Sequence, residues 1–443
     1  MPNVAGQAGR LHILTQSDLE RLDQAALTVL AETGVAMPVP AARDALAAAG
    51  ARADGATIRI PADVVRRLVA LAPATMTLGA RANRTLVTGD ASLVTTDGCP
   101  TDIYDLETGE KRATVAADLA AIARIVDALP EVDFCWTTVS AQDRPVERRG
   151  LHEIYEVLAN TGKHVQTVTI VDREQAEVAV EMARVIAGGE QAVRRASPIS
   201  ALLGTITPLG HDEGTLEAGL VFAEAGVPIG FVTMPQGGST TPLTMAGSLV
   251  VGIAEALSGV CAIQAVHPGA AVFICFIPSF MDLKTGDFTG GAPEDTLMGA
   301  AVGDIGGFYG LPTMCGVNAS GAKLPGWQSA VDDVTTTYLS VLTGVDMLTG
   351  VGMVAGGRIF SFEELILGTE VAALARAAAR ASAVGGPALD TASLAEQAAA
   401  WLPVDGAAAR ARARDRAKDF LATHEPPPLD PDVDTELRRL VAG

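Results

Sequence analysis

The feature that most constrains this chain is a rhythm. Short apolar runs begin near Ser92, Val132, His164, Ile199, Ile229, Ala271, Leu311 and Met347, 30 to 42 residues apart, and most precede an Ala/Leu/Glu-rich helical segment. Buried strands separated by one helix each imply parallel pairing through right-handed crossovers. Eight such units are the number that closes a (β/α)8 barrel, whereas an open doubly wound sheet needs no particular count. The sequence therefore predicts an α/β protein with a TIM barrel over residues 91–380 and a hairpin insertion near 99–113. A helical extension, 1–90, precedes the barrel and a helical tail, 381–443, follows it.

The extension carries an apolar stripe at Leu19, Leu22, Ala26, Val29 and Leu30, and a second helix is expected near Ala41 to Ala48. In the tail, the prolines of THEPPPLDPDVDTELRRLVAG predict an extended strap before a last short helix. With 443 residues, 49% hydrophobic, the chain can bury a large core. Its net charge of −20 repels nucleic acid and anionic membranes, so a small molecule or a protein is the expected partner. Five cysteines without CxxC spacing and six isolated histidines offer neither a disulfide framework nor a metal ligand pair. A cytoplasmic setting follows, with no metal. The long apolar stretch Leu243 to Val266 contains Glu255 and reads as a buried helix rather than a membrane span. A homo-oligomer, a dimer, is expected from the apolar faces of the extra helices.

Barrel chemistry sits at the C-terminal ends of the strands. That rule selects Asp97, Thr138, Ser140, Gln166, Thr205, Thr207, Thr233, Gln236, Phe276, Asn318 and the run Gly350 to Met353. The run belongs to LTGVGMVAGGRIFSFEELILGTE, whose GVGMVA matches the dinucleotide pattern GxGxxG/A. A dinucleotide turn needs the helix to open among the glycines, and here Ser361 and Glu364, spaced as a capping box, mark a later start. The better expectation is bare backbone, with Gly350, Gly352 and Met353 lining the barrel mouth; the alternative is a positive-φ turn at Gly352. His164 opens its strand at the stability end of the barrel. His211 either meets substrate or caps its loop, and Cys275 and Cys315 read as buried small hydrophobes.

Several stretches, taken in order, resemble one family. They are LDQAALTVLAETGV (22–35), DIYDLETGEKRAT (102–114), ITPLGHDEGTLEAGLVFAEAGVPI (206–229), GGSTTPLTMAGSLV (237–250), NASGAKLPGWQSA (318–330), GVGMVAGGRIFSFEELILGTEV (350–371) and FLATHEPPPLDPDVDTEL (420–437). Together they resemble the trimethylamine methyltransferase family, whose wording near the barrel's end is close to G-x-GMLESG-x-T-x-SYEQLVLD-x-E. The resemblance implies a barrel enzyme that moves a methyl group from a methylated amine to the cobalt of a corrinoid (cobalamin) carried by a partner protein. Only standard residues occur here, as in relatives that act on quaternary amines such as glycine betaine. Direct transfer to tetrahydrofolate, or a non-catalytic barrel that binds a methylated amine, are the alternatives. For a cationic substrate, Asp97 offsets charge or merely caps the TDG turn; Tyr104, Trp136, Phe276 and Trp327 offer ring faces or simply fill core; Asn318 orients a carboxylate or carbonyl. Gln166, Thr205, His211 and Gln236 complete the expected substrate-binding set.

Overall fold

The computed structural model describes residues 10–82, 85–89, 91–317, 320–381 and 406–443. Eight strands form the barrel: β1 Leu93–Thr96, β2 Phe134–Trp136, β3 His164–Thr167, β4 Ile199–Ile206, β5 Ile229–Thr233, β6 Val272–Phe276, β7 Thr313–Gly316 and β8 Met347–Val351. Each pairs in parallel with its chain neighbours, and β8 returns to β1, with Leu348 opposite Val94 and Thr349 opposite Thr95, so the sheet is closed. The strand starts agree with those read from the sequence.

Alternation along the strands divides the core in two. Phe134, Trp136, Leu202, Val232, Phe273, Cys275, Met314 and Met347 fill the interior. Cys135, Val165, Leu203, Phe231, Ile274, Phe276, Cys315 and Leu348 belong to the larger cluster between strands and helices. Cys275 and Cys315 thus lie on opposite faces of the sheet. The helix Met245–Val266 is, among the described residues, the one helix long and apolar enough to cross a bilayer, yet 78% of its apolar window is buried in protein. It packs on β5, β6 and the three N-terminal helices Gln16–Thr28, Pro40–Ala48 and Ala62–Val69.

The N-terminal end of the barrel is plugged. Met76, Leu78 and Leu86, around the antiparallel pair Thr77–Leu78 and Leu86–Val87, join the interior cluster, and Gly79 N–H donates to Ser197 O at 2.8 Å. At the opposite end the inserted hairpin, Asp102–Tyr104 with Lys111–Ala113, pairs in parallel with Ile359–Ser361, which also pairs with Met353–Val354. This four-stranded sheet covers one side of the mouth.

The tail runs back under the barrel. Arg124 donates to Leu421 O and His424 O, and the final helix Pro431–Ala442 is fixed by Tyr155 Oη donating to Asp434 at 2.8 Å.

Candidate functional site

The open end of the barrel presents a contiguous polar group on β1, β2 and β3. Asp97 follows β1, 7% exposed, and its Oδ1 accepts the Gly98 N–H at 2.8 Å. Burial pushes its carboxyl up to about 6, with the Gly98 bond pulling weakly the other way. Gly98 lies on the indole of Trp136: a Cβ there would stand 2.6 Å from the ring, so only glycine lets the two segments touch. Trp136 is the register partner of Gln166 on the next strand.

Hydrogen-bond direction fixes how Gln166 presents itself. His164 Nδ1 is 2.8 Å from Gly79 O, which can only accept, so Nδ1 carries the proton and Nε2 is an acceptor. Burial holds this imidazole down at about 4, in its neutral form. Ser200 therefore gives its hydroxyl proton to His164 Nε2 (2.8 Å) and accepts from Gln166 Nε2 at 3.0 Å. What remains is Gln166 Oε1, a buried acceptor without a donor, beside Trp136 Nε1, a buried donor without an acceptor. Such orphans are costly in a closed core and ordinary where a ligand arrives.

Above this group the strand ends are held rigidly. Thr349 Oγ1 donates to Thr96 O at 2.7 Å, and the Thr96 and Thr138 hydroxyls are 2.8 Å apart. Gly350 (φ 134°) makes a bulge that shifts the β8–β1 register at this level. On β4, a Cβ built at Gly204 meets nothing within 4 Å, so the interior has room there. Cys99, at φ 76°, follows Gly98 and is exposed. Desolvation of the thiol, then the charges of Glu153 and Asp97, push its pKa up.

Among the residues expected at the site, the structure brings together Asp97, Trp136, Gln166 and Gly350. Most of the others that are described go elsewhere, each for a local reason. Phe276 points outward into the helix–strand core, against Gly252. Thr205 Oγ1 donates to Glu255 at 2.6 Å, and the same carboxylate takes Thr207 Oγ1 (3.0 Å) and Leu209 N–H (2.8 Å), so Thr205 anchors a loop. His211 is buried outside the barrel, 2.8 Å from Ser258 Oγ and edge-on to Phe231. Gln236 sits in the turn after β5, where its carbonyl accepts from Ser239, Thr240 and Thr241. Tyr104, on the covering sheet, donates to Lys323 O in the loop after β7. Gly352 has φ 99°, and a Cβ on it would be 2.4 Å from the Phe360 ring; Met353 is 1% exposed and paired with Phe360. The Gly350–Met353 run is thus mostly a turn into the covering sheet, not bare backbone facing a ligand. Asn318 lies outside the described residues.

Sequence reasoning missed Ser200 and the use of His164. The signal was available in part, because Ser200 is a polar residue one step from the start of an otherwise apolar strand.

A second property of the open end is its rim. The exposed large apolar side chains include Val146, Val171, Ile206, Met234, Leu243, Leu283, Leu324 and Trp327, each at the end of a barrel strand, in the loop that follows one or at the first residue of the next helix. Trp327 is 86% exposed.

Comparison with known proteins agrees with this architecture. The family model described as "Trimethylamine methyltransferase (MTTB)" matches residues 1–400. The trimethylamine methyltransferase of Methanosarcina thermophila is 29% identical over 377 residues, covering 83% of this chain and 78% of that protein. The glycine betaine methyltransferase of Desulfitobacterium hafniense (strain Y51) is 26% identical over 467 residues, covering 98% of this chain and 97% of its own. Among solved structures, the monomethylamine methyltransferase of Methanosarcina barkeri shares the fold, with a TM-score of 0.55 at 13% identity over 98% of this chain and 87% of that one. The chain belongs to the trimethylamine methyltransferase family.

Proposed function

We propose that this methyltransferase takes a methyl group from a small quaternary amine, glycine betaine or a near relative, and passes it to the reduced cobalt of a corrinoid carried by a partner protein. The observation that carries the donor half is the group at the mouth: a carboxylate, an orphaned acceptor and an orphaned indole N–H on adjacent strands. A betaine has matching parts. Its ammonium takes the Asp97 charge and the Gln166 Oε1 dipole, and its carboxylate takes the Trp136 N–H. The relative named for glycine betaine, aligned over nearly the whole chain, supports the same substrate class.

The chemistry asks little of the protein beyond placement. In-line attack on one N-methyl breaks the C–N bond, and the electron pair returns to nitrogen, so the amine departs neutral and no general acid is required. The acceptor supplies the nucleophile. Asp97 and Gln166 hold the cation, the threonine-bonded strand ends keep them in place, and the apolar rim excludes water when covered. That rim favours a protein-borne acceptor over free tetrahydrofolate, since a folate needs no ring of exposed apolar side chains.

Incubation with glycine betaine and either a reduced corrinoid or tetrahydrofolate, following dimethylglycine, tests the reading. Product only with the corrinoid is expected. Product only with folate replaces the acceptor, and tight amine binding without turnover under either would make the barrel a binding protein.

A further inference from the structure

A glycine inside a strand weakens it, through chain entropy and a missing side chain, so its presence wants a reason. In the barrel strands the reasons are mostly visible. At Gly230 on β5 a Cβ would stand 2.2 Å from the Phe273 ring, and at Gly316 on β7 it would be 3.1 Å from Ile277. Gly350 on β8 has φ 134°. Gly204 on β4 is the exception among the described barrel-strand glycines, with no positive φ and nothing within 4 Å of a Cβ. Gly55, Gly188, Gly189, Gly269, Gly286 and Gly310 have the same open space, but each lies outside the strands at a φ of 61° to 123°.

The absent side chain would point into the barrel. Leu202, two residues earlier, belongs to the interior cluster, whereas Leu203 and the Glu255-bound Thr205 face the helices. Val232, the register partner of Gly204 on β5, is interior and 5% exposed. Gly204 itself is half-buried near the end of its strand, on the side of the mouth. Its neighbours on this face by register, Leu202 and Val232, are apolar, which suits an alkyl group better than a carboxylate. Solvent alone does not call for glycine here, because a strand position facing open space accepts any side chain, and β-branched ones best.

We propose that Gly204 is a specificity-determining residue: the room left by its absent side chain takes an N-methyl group of the substrate, so that the site prefers a fully methylated nitrogen to a less methylated one. The inference rests on the quaternary-amine reading above and adds to it a contact made by shape alone.

Calorimetric binding of glycine betaine and of N,N-dimethylglycine, which keeps the carboxylate and lacks one methyl, tests it on the wild-type chain, Gly204→Ala and Gly204→Val, with Tm measured on each. The wild type should prefer betaine. Alanine should weaken betaine several-fold and valine at least ~10-fold, while dimethylglycine, with room to spare, loses little. Tm should hold or rise in both variants, since no atom is displaced and the strand gains a better residue. Should Gly204→Val fail to fold, Gly204→Ala carries the comparison. An equal loss for both ligands, or binding that falls together with Tm, makes Gly204 a packing residue and overturns the inference, as do unchanged betaine binding in the variants and a wild type without preference for betaine. A wild type that binds neither ligand overturns the quaternary-amine reading itself, and the inference with it.

Discussion

Asp97 carries opposite consequences for stability and for binding. Its folded pKa, about 6, lies above the ordinary 3.8, so the native state holds the proton more tightly than the unfolded chain. The sign follows: the ligand-free protein loses stability as pH rises from about 4 through 6, and the penalty is complete above that, on the order of 2–3 kcal/mol. Asp97→Asn should therefore raise Tm at pH 8 more than at pH 4 in denaturation scans. The same variant should lower kcat/KM for the quaternary amine at least ~10-fold, about 1.4 kcal/mol. In the native enzyme kcat/KM should fall as pH drops below about 6. Gly352→Ala separates a packing glycine from a ligand-facing one. With φ at 99° and Phe360 in the way, alanine should cost about 1–3 kcal/mol, so melting temperature and activity fall together; activity lost at unchanged Tm would restore the ligand-facing role. Of the candidate site, Asp97 and Gln166 were legible from their depth near a strand's C-terminal end, and Trp136 from its ring. The strand-end rule gives depth but not direction, and Thr205 and Phe276 have the right depth and the wrong face.

At the scale of elements, the eight strands were legible because parallel strands buried on both faces leave continuous apolar runs at a fixed spacing. The hairpin was legible from its turn, where Asp105 Oδ1 accepts the Glu107 and Thr108 N–H groups at 3.0 Å. Its partner was not. Ile359–Ser361 pairs with Asp102–Tyr104 across nearly the whole of the barrel's sequence, and no local pattern encodes so distant a register. The loop after β4 was hidden likewise, because its anchor, Glu255, sits on another element's helix. The rim belongs to this scale too. Replacing Leu324 and Trp327 together by serine should leave Tm within about 1 °C, since both side chains are exposed. It should raise KM for a protein-borne acceptor several-fold while leaving turnover with a free corrinoid unchanged, measured side by side; equal effects on both acceptors would remove the rim from partner docking.

For the molecule as a whole, the plug of Met76, Leu78 and Leu86 leaves the barrel one doorway among the described residues. Everything that reaches Asp97 must come and go on the side where the apolar rim would seat a protein. Under the proposed reaction, sharing one doorway would impose a queue: the amine boards first, the acceptor protein closes the entrance, and the spent amine departs only after the partner lets go. Steady-state kinetics should then show compulsory order. Excess acceptor protein should inhibit, and raising the amine concentration should relieve that inhibition; independence of the two would show that a second passage exists. A partner that docks too early shuts the amine out and must leave before any turnover can begin.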